Sequence, residues 1–147
     1  MTLRDGAGAP AQVGALRRLR AVDLLLVSLG AMVGALTRWS LGEAVPDGSG
    51  FPWTTFAINV AGCFALALLP MLRVVRLQPT VAIALGPGLL GGFTTVSAYA
   101  EQARSLAADG HSGLAGTYVL GTVTACLLAA VAGRAISHRP EPEGALE

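Results

Sequence analysis

Between Gly86 and Gln102 the chain reads G-P-G-L-L-G-G-F-T-T-V-S-A-Y-A-E-Q, inside a long apolar segment. Four glycines and a proline break up its first half, and two threonines, a serine and a tyrosine follow. In hydrocarbon, a backbone group released from a helix finds no water to bond, so lipid-embedded segments avoid such runs. The exception is a span interrupted where loose carbonyls and half-helix ends meet an ion or substrate. The run therefore predicts a membrane span interrupted over residues 91–95, at a passage for a small ion.

The rest of the chain supports a membrane setting. Apolar residues make up 53% of its 147 residues and charged ones 13%, about half the share in soluble domains. The charges cluster between apolar blocks, and mean hydropathy is +0.61. Net charge is +1, the ten basic residues are all arginine, and no basic run is interleaved with aromatics, so nucleic acid is not an expected partner. Cys63 and Cys126 lie in separate apolar blocks without metal-ligand spacing and read as small buried hydrophobes.

Three regions follow: a disordered basic tail over 1–20, a four-span domain over 21–136 and a disordered tail over 137–147. Arg17, Arg18 and Arg20 hold the start of the first span inside. A signal peptide is the competing reading, but three more apolar blocks follow and no clear small-residue cleavage site precedes Arg38. The first span is expected over about 21–41, with a small-residue face at Gly30-x-x-x-Gly34 suited to close helix contact. Arg38 stands where it can offer positive charge to an anion entrance. The second span, about 52–72, starts with Pro52 in its first turn and Trp53 at the interface. Asn59, two turns in, must bond either a neighbouring helix or a polar pathway. Residues 73–78 form a loop. The third span, about 80–107, is two half-helices, since 80–90 alone is too short to cross a core needing about 20 residues. In the fourth, about 113–135, Tyr118, Thr122 and Cys126 share a face: a polar stripe that either lines a pathway or bonds locally.

Gly86-x-Gly88-x-x-Gly91 matches a dinucleotide-binding string, but it lies between membrane spans and not between a strand and a helix. His111 and His138 are isolated, with no metal cluster or nucleophile arrangement, and paired intramembrane carboxylates are missing. No enzyme is expected.

Three stretches, in order, resemble the Fluc (CrcB-type) fluoride channels: G-A-M-V-G-A-L-T-R-W (30–39), F-P-W-T-T-F-A-I-N-V-A-G (51–62) and G-G-F-T-T-V-S-A-Y (91–99). The resemblance covers about residues 24–135. It implies an all-α integral membrane protein of four transmembrane helices, the third broken near its middle, assembled as an antiparallel dimer with fluoride pathways along the interface. The carbonyls of Gly91 and Thr94, from both subunits, would hold a structural sodium ion. Asn59, Thr95, Val96, Ser97, Tyr99, Tyr118 and Thr122 would line the pore, and Arg38 matches the arginine ending the first span. Fluoride, exported passively across the cell membrane, is the implied ion, and membrane lipid the surrounding partner.

Two departures from the family pattern stand out. The two pore phenylalanines fall on Val96, which has no ring edge, and on Tyr99. Arginine is also unevenly placed. Arg4, Arg17, Arg18, Arg20, Arg73, Arg76, Arg134 and Arg139 share one side with the termini, against Arg38 and Arg104 opposite. That bias predicts inward termini and one-way insertion, hence pairing with a related subunit instead of itself. A non-conducting partner subunit and a small four-span drug or cation transporter are the remaining expectations. The latter would need a carboxylate deep in its first span, and Asp23 lies near the end.

Overall fold

The computed structural model describes residues 20–137. The two tails, with Arg4, Arg17, Arg18, His138 and Arg139, lie outside the described residues. Four helical segments are long and apolar enough to cross a membrane: Ala21–Ala44, Trp53–Met71, Pro79–Ala108 and Ser112–Ser137. No strand occurs among the described residues. The protein is a multi-pass, all-α membrane protein.

Helix α1 (Ala21–Ala44) opens at an extended Arg20, whose amide donates to the Asp23 carboxylate at 3.2 Å. Asp23 thus serves the start of its own helix, where a negative charge also favours the exposed amides. Helix α2 (Trp53–Leu68) begins one residue after Pro52, which stands as its cap and not inside its first turn. Its free amides at Thr54 and Thr55 are met by the Asp47 carboxylate at 2.7 and 3.2 Å. A 3₁₀ turn, Leu69–Met71, ends the second span.

Residues 73–78 are not the simple loop expected. Arg73–Leu77 coil into a short helix, α3, between an extended Leu72 and an extended Gln78. Gln78 precedes Pro79, whose ring keeps the residue before it out of the helical region, so α3 cannot run into α4 (Pro79–Ile83). Next comes a widened, π-helical stretch, Ala84–Leu90, containing Pro87. Proline has no amide to give the preceding turn, and a wider turn accommodates the loss. Helix α5 (Gly91–Phe93) is a single turn. The extended residues are only Thr94 (ψ 159°) and Thr95 (φ −147°, ψ 124°), a narrower departure than the 91–95 expected. Helix α6 (Val96–Ala108) follows. It ends at Gly110, whose φ of +83° only glycine adopts readily, with His111 N donating to Leu106 O and Gly110 N to Ala107 O. That cap turns the chain directly into α7 (Ser112–Ser137).

Packing follows the small residues. Helix α1 lies against the π-helical stretch and α5, and α2 and α6 both pack on α7. A Cβ on Gly30 would lie 2.5 Å from Ala84 O, and one on Gly34 would lie 2.7 Å from Phe93 N. The glycine face of the first span is therefore a backbone-to-backbone contact. The buried apolar core is small: Ile58, and a cluster of Leu106, Ala115 and Tyr118 backed by Phe51, Phe56 and Tyr99. Large apolar side chains such as Leu25, Met32, Leu36, Leu120 and Leu127 face outward, as lipid or another protein surface requires.

Candidate functional site

The geometry of the site follows from where three amide groups go. In an unbroken helix, Thr95 N would bond Gly91 O and Ala98 N would bond Thr94 O. Here Thr95 N donates to Asn59 Oδ1 at 2.8 Å, and Ala98 N donates to Thr95 Oγ1 at 3.1 Å. Both amides are satisfied by side chains, which releases the Gly91 and Thr94 carbonyls from their helical donors. Asn59 Nδ2 in turn donates to Thr95 O at 3.0 Å. The Asn59 amide therefore grips Thr95 by both its backbone N–H and its C=O, in a buried setting where unpaired groups are costly. Thr95 acts as the N-cap of α6, its oxygen accepting from Ala98 N and lying 3.2 Å from Ser97 Oγ.

An open-sided cavity of about 660 Å³ lies against this segment. Its wall brings together Asn59, Gly91, Thr94, Thr95, Val96, Tyr99 and Thr122, with no charged side chain. Thr122 is 4% exposed and its hydroxyl oxygen is buried without a hydrogen-bond partner among the described residues. Val96 is 79% exposed and presents bare methyl groups to the cavity. Tyr99 reaches the wall with its ring, but its hydroxyl donates to Val119 O at 2.9 Å.

Three predicted residues stand apart from that wall. Tyr118 is fully buried, its ring tilted against Tyr99 (centroids 5.2 Å apart) and its edge on Phe51. Ser97 is exposed beside Thr95. Arg38 is half-buried, and its Nε donates to Gly92 O at 3.4 Å, across 54 positions of sequence. The guanidinium therefore touches the turn that ends at Thr94. Cys63 and Cys126, expected to be buried, are half-buried and line the cavity.

The structure also reveals a polar network that the sequence reading missed. Asp47 Oδ2 accepts from Thr55 Oγ1 (3.0 Å) and Gln102 Nε2 (3.1 Å). Gln102 Nε2 also donates to Thr55 Oγ1 (2.9 Å), and its Oε1 accepts from the Tyr118 hydroxyl (2.8 Å). Loop, α2, α6 and α7 are tied at one point. Tyr118 thus has its proton committed to Gln102. The available signal was an acid shortly before a helix start, at Asp47, where the first amides of α2 need an acceptor.

Comparison with known proteins places the chain in a family. The profile of the family described as "CrcB-like protein, Camphor Resistance (CrcB)" matches residues 25–134. A Streptomyces coelicolor protein named "Fluoride-specific ion channel FluC 1" is 40% identical over 139 residues, covering 88% of each chain. A Chelativorans protein named "Fluoride-specific ion channel FluC" is 40% identical over 116 residues, covering 75% of this chain and 91% of its own length. One of the same name from Chlorobium phaeobacteroides is 38% identical over 112 residues, covering 74% and 88%. With a family match over residues 25–134, which reaches all four apolar spans, the chain belongs to the CrcB-like family.

Proposed function

We infer that this chain is a fluoride-selective channel that lets the ion leave the cytoplasm passively. It is a channel and not an enzyme. The observation that carries the reading is the uncharged cavity joining Asn59, Thr95 and Thr122, in a chain whose relatives bear the fluoride channel name. Fluoride holds its water tightly and needs strong hydrogen-bond donors in exchange. The wall residues that carry such donors are Asn59, whose Nδ2 has a second hydrogen, and Thr122, whose buried hydroxyl has no partner among the described residues and would turn toward the ion. Once a second subunit closes the open side, a tight path lined by few donors would admit a small anion and penalise chloride.

The finer assembly is part of the same proposal. The cavity opens on one side of the subunit, and a second subunit packed antiparallel would close it. The third span would then be a broken helix, with its break at Thr94–Thr95. The released Gly91 and Thr94 oxygens suit a hard cation such as sodium, and one subunit's pair is too few to complete a shell, so the partner's pair would be needed. Arg20, Arg73, Arg76 and Arg134 fall on one side of four alternating spans and favour a cytoplasmic location for the termini of a plasma-membrane protein.

A second reading is favoured by Val96: a half-conducting subunit of a heterodimer whose related partner supplies the missing ring. Liposomes loaded with fluoride and chloride test the reading. The purified chain is expected to release fluoride and retain chloride; release of both, or of neither with or without a related subunit, would overturn it. Val96→Phe separates the two assemblies. A ring edge is positive and attracts anions, so a homodimer is expected to conduct severalfold faster after the substitution. Unchanged efflux from the chain alone points to the heterodimer.

A further inference from the structure

We propose that Cys63 and Cys126 form a two-coordinate thiolate site for a soft divalent cation, with mercuric ion as the probe. Cys63 lies on α2, one turn past Asn59, and Cys126 on α7, one turn past Thr122. These helices pack directly on each other. Both thiols line the same open cavity and are half-buried, so an ion in the cavity can reach them. Both residues stand on one wall of the cavity, where α2 and α7 meet, which sets the two sulfurs to face the same ion.

The ligand set selects the ion. Thiolate is a soft donor, and zinc-like ions need four ligands where this wall offers two sulfurs. Among the described residues no group of three or more His, Cys, Asp and Glu side chains gathers anywhere, so no third strong ligand is at hand. Linear two-coordination is the preference of mercuric ion. Charge makes the same choice. The reaction 2 RSH + Hg²⁺ → RS–Hg–SR + 2 H⁺ leaves a neutral product, with both protons going to solvent and no change of oxidation state. A monovalent ion would leave one negative charge among Leu66, Val123, Leu127 and Ala130, where desolvation opposes it. The site rests on the cavity wall and does not depend on the fluoride reading.

The test titrates mercuric chloride into the purified, pre-reduced full chain in detergent. It follows the sulfur-to-mercury absorption in the ultraviolet and counts maleimide-reactive thiols by mass spectrometry. One mercuric ion per chain is expected, with both thiols lost from labelling together. Because two tethered ligands bind more tightly than one, Cys63→Ser and Cys126→Ser should each weaken binding by about 10²-fold. Cys63→Ala and Cys126→Ala give the same comparison should a serine variant fold poorly. Two ions per chain, or single variants that bind as tightly as the parent, would mean independent thiols and overturn the site. Because no step measures efflux, failure here leaves the channel reading untouched, and failure of the channel reading leaves this site standing.

Discussion

Gly34→Val is expected to eliminate the folded protein, leaving little or no monodisperse material after extraction from the membrane. Gly34 is buried where α1 crosses the third span, and a side chain there would run into Leu89 O, Phe93 N and Gly92 C. All three are backbone atoms, so no rotamer change relieves the clash. The two segments would have to separate, and with them the turn that presents Gly91 and Thr94. Overpacking typically costs about 1–3 kcal/mol and more where nothing can yield. A loss of about 3 kcal/mol or more is a large part of a marginal total of about 5–15 kcal/mol. Gly42→Val is the control, since a Cβ at Gly42 meets nothing within 4 Å. Size-exclusion profiles and thermal unfolding midpoints of the two variants check the contrast. Equal profiles would mean that the close crossing at Gly34 does not hold the first and third spans together.

The spans were legible because hydrocarbon imposes a simple rule: about 20 apolar residues bounded by charge, and that boundary is written in the chain at Asp23, Arg38, Arg73 and Arg134. The glycine face of α1 was legible for a related reason, since only a bare backbone permits the approach seen at Gly30 and Gly34. The short helix at Arg73–Leu77 was not legible. Five residues carry too little periodicity, and their fold depends on the extended residues at either end. Asn59 could be placed in a membrane helix but not given a partner, because Thr95 is 36 positions away. The spacing of Tyr118 and Thr122 put both on one face of α7, and both are buried, yet their neighbours separate them. Tyr118 turns into the aromatic core and Gln102, while Thr122 meets the cavity. Helical periodicity gives a direction and says nothing about which neighbour stands there.

Asn59→Ala is expected to lower both stability and fluoride efflux. Read from sequence, Asn59 is a pore-lining amide whose loss slows passage and leaves the fold intact. The geometry adds a second role. Its Oδ1 and Nδ2 hold Thr95 N and Thr95 O at 2.8 and 3.0 Å, and both residues are buried. Alanine leaves that amide and that carbonyl without their side-chain partner in a buried setting. An unsatisfied buried group costs about 1–3 kcal/mol, so the pair is expected to cost about 2–4 kcal/mol and lower the unfolding midpoint accordingly. The chain's cheapest response is to return Thr95 N to Gly91 O and close the helix across Thr94–Thr95. That rearrangement withdraws the Gly91 carbonyl from any cation and turns Thr95 away from the cavity, so efflux falls even in protein that survives. Asn59→Asp sharpens the test, because a carboxylate still accepts from Thr95 N but cannot donate to Thr95 O. It should keep part of the stability that alanine loses while its negative charge repels the anion, so efflux stays low as stability partly recovers. An Asn59→Ala protein with the parent's unfolding midpoint and the parent's efflux would show that neither the clamp on Thr95 nor the donor in the cavity matters.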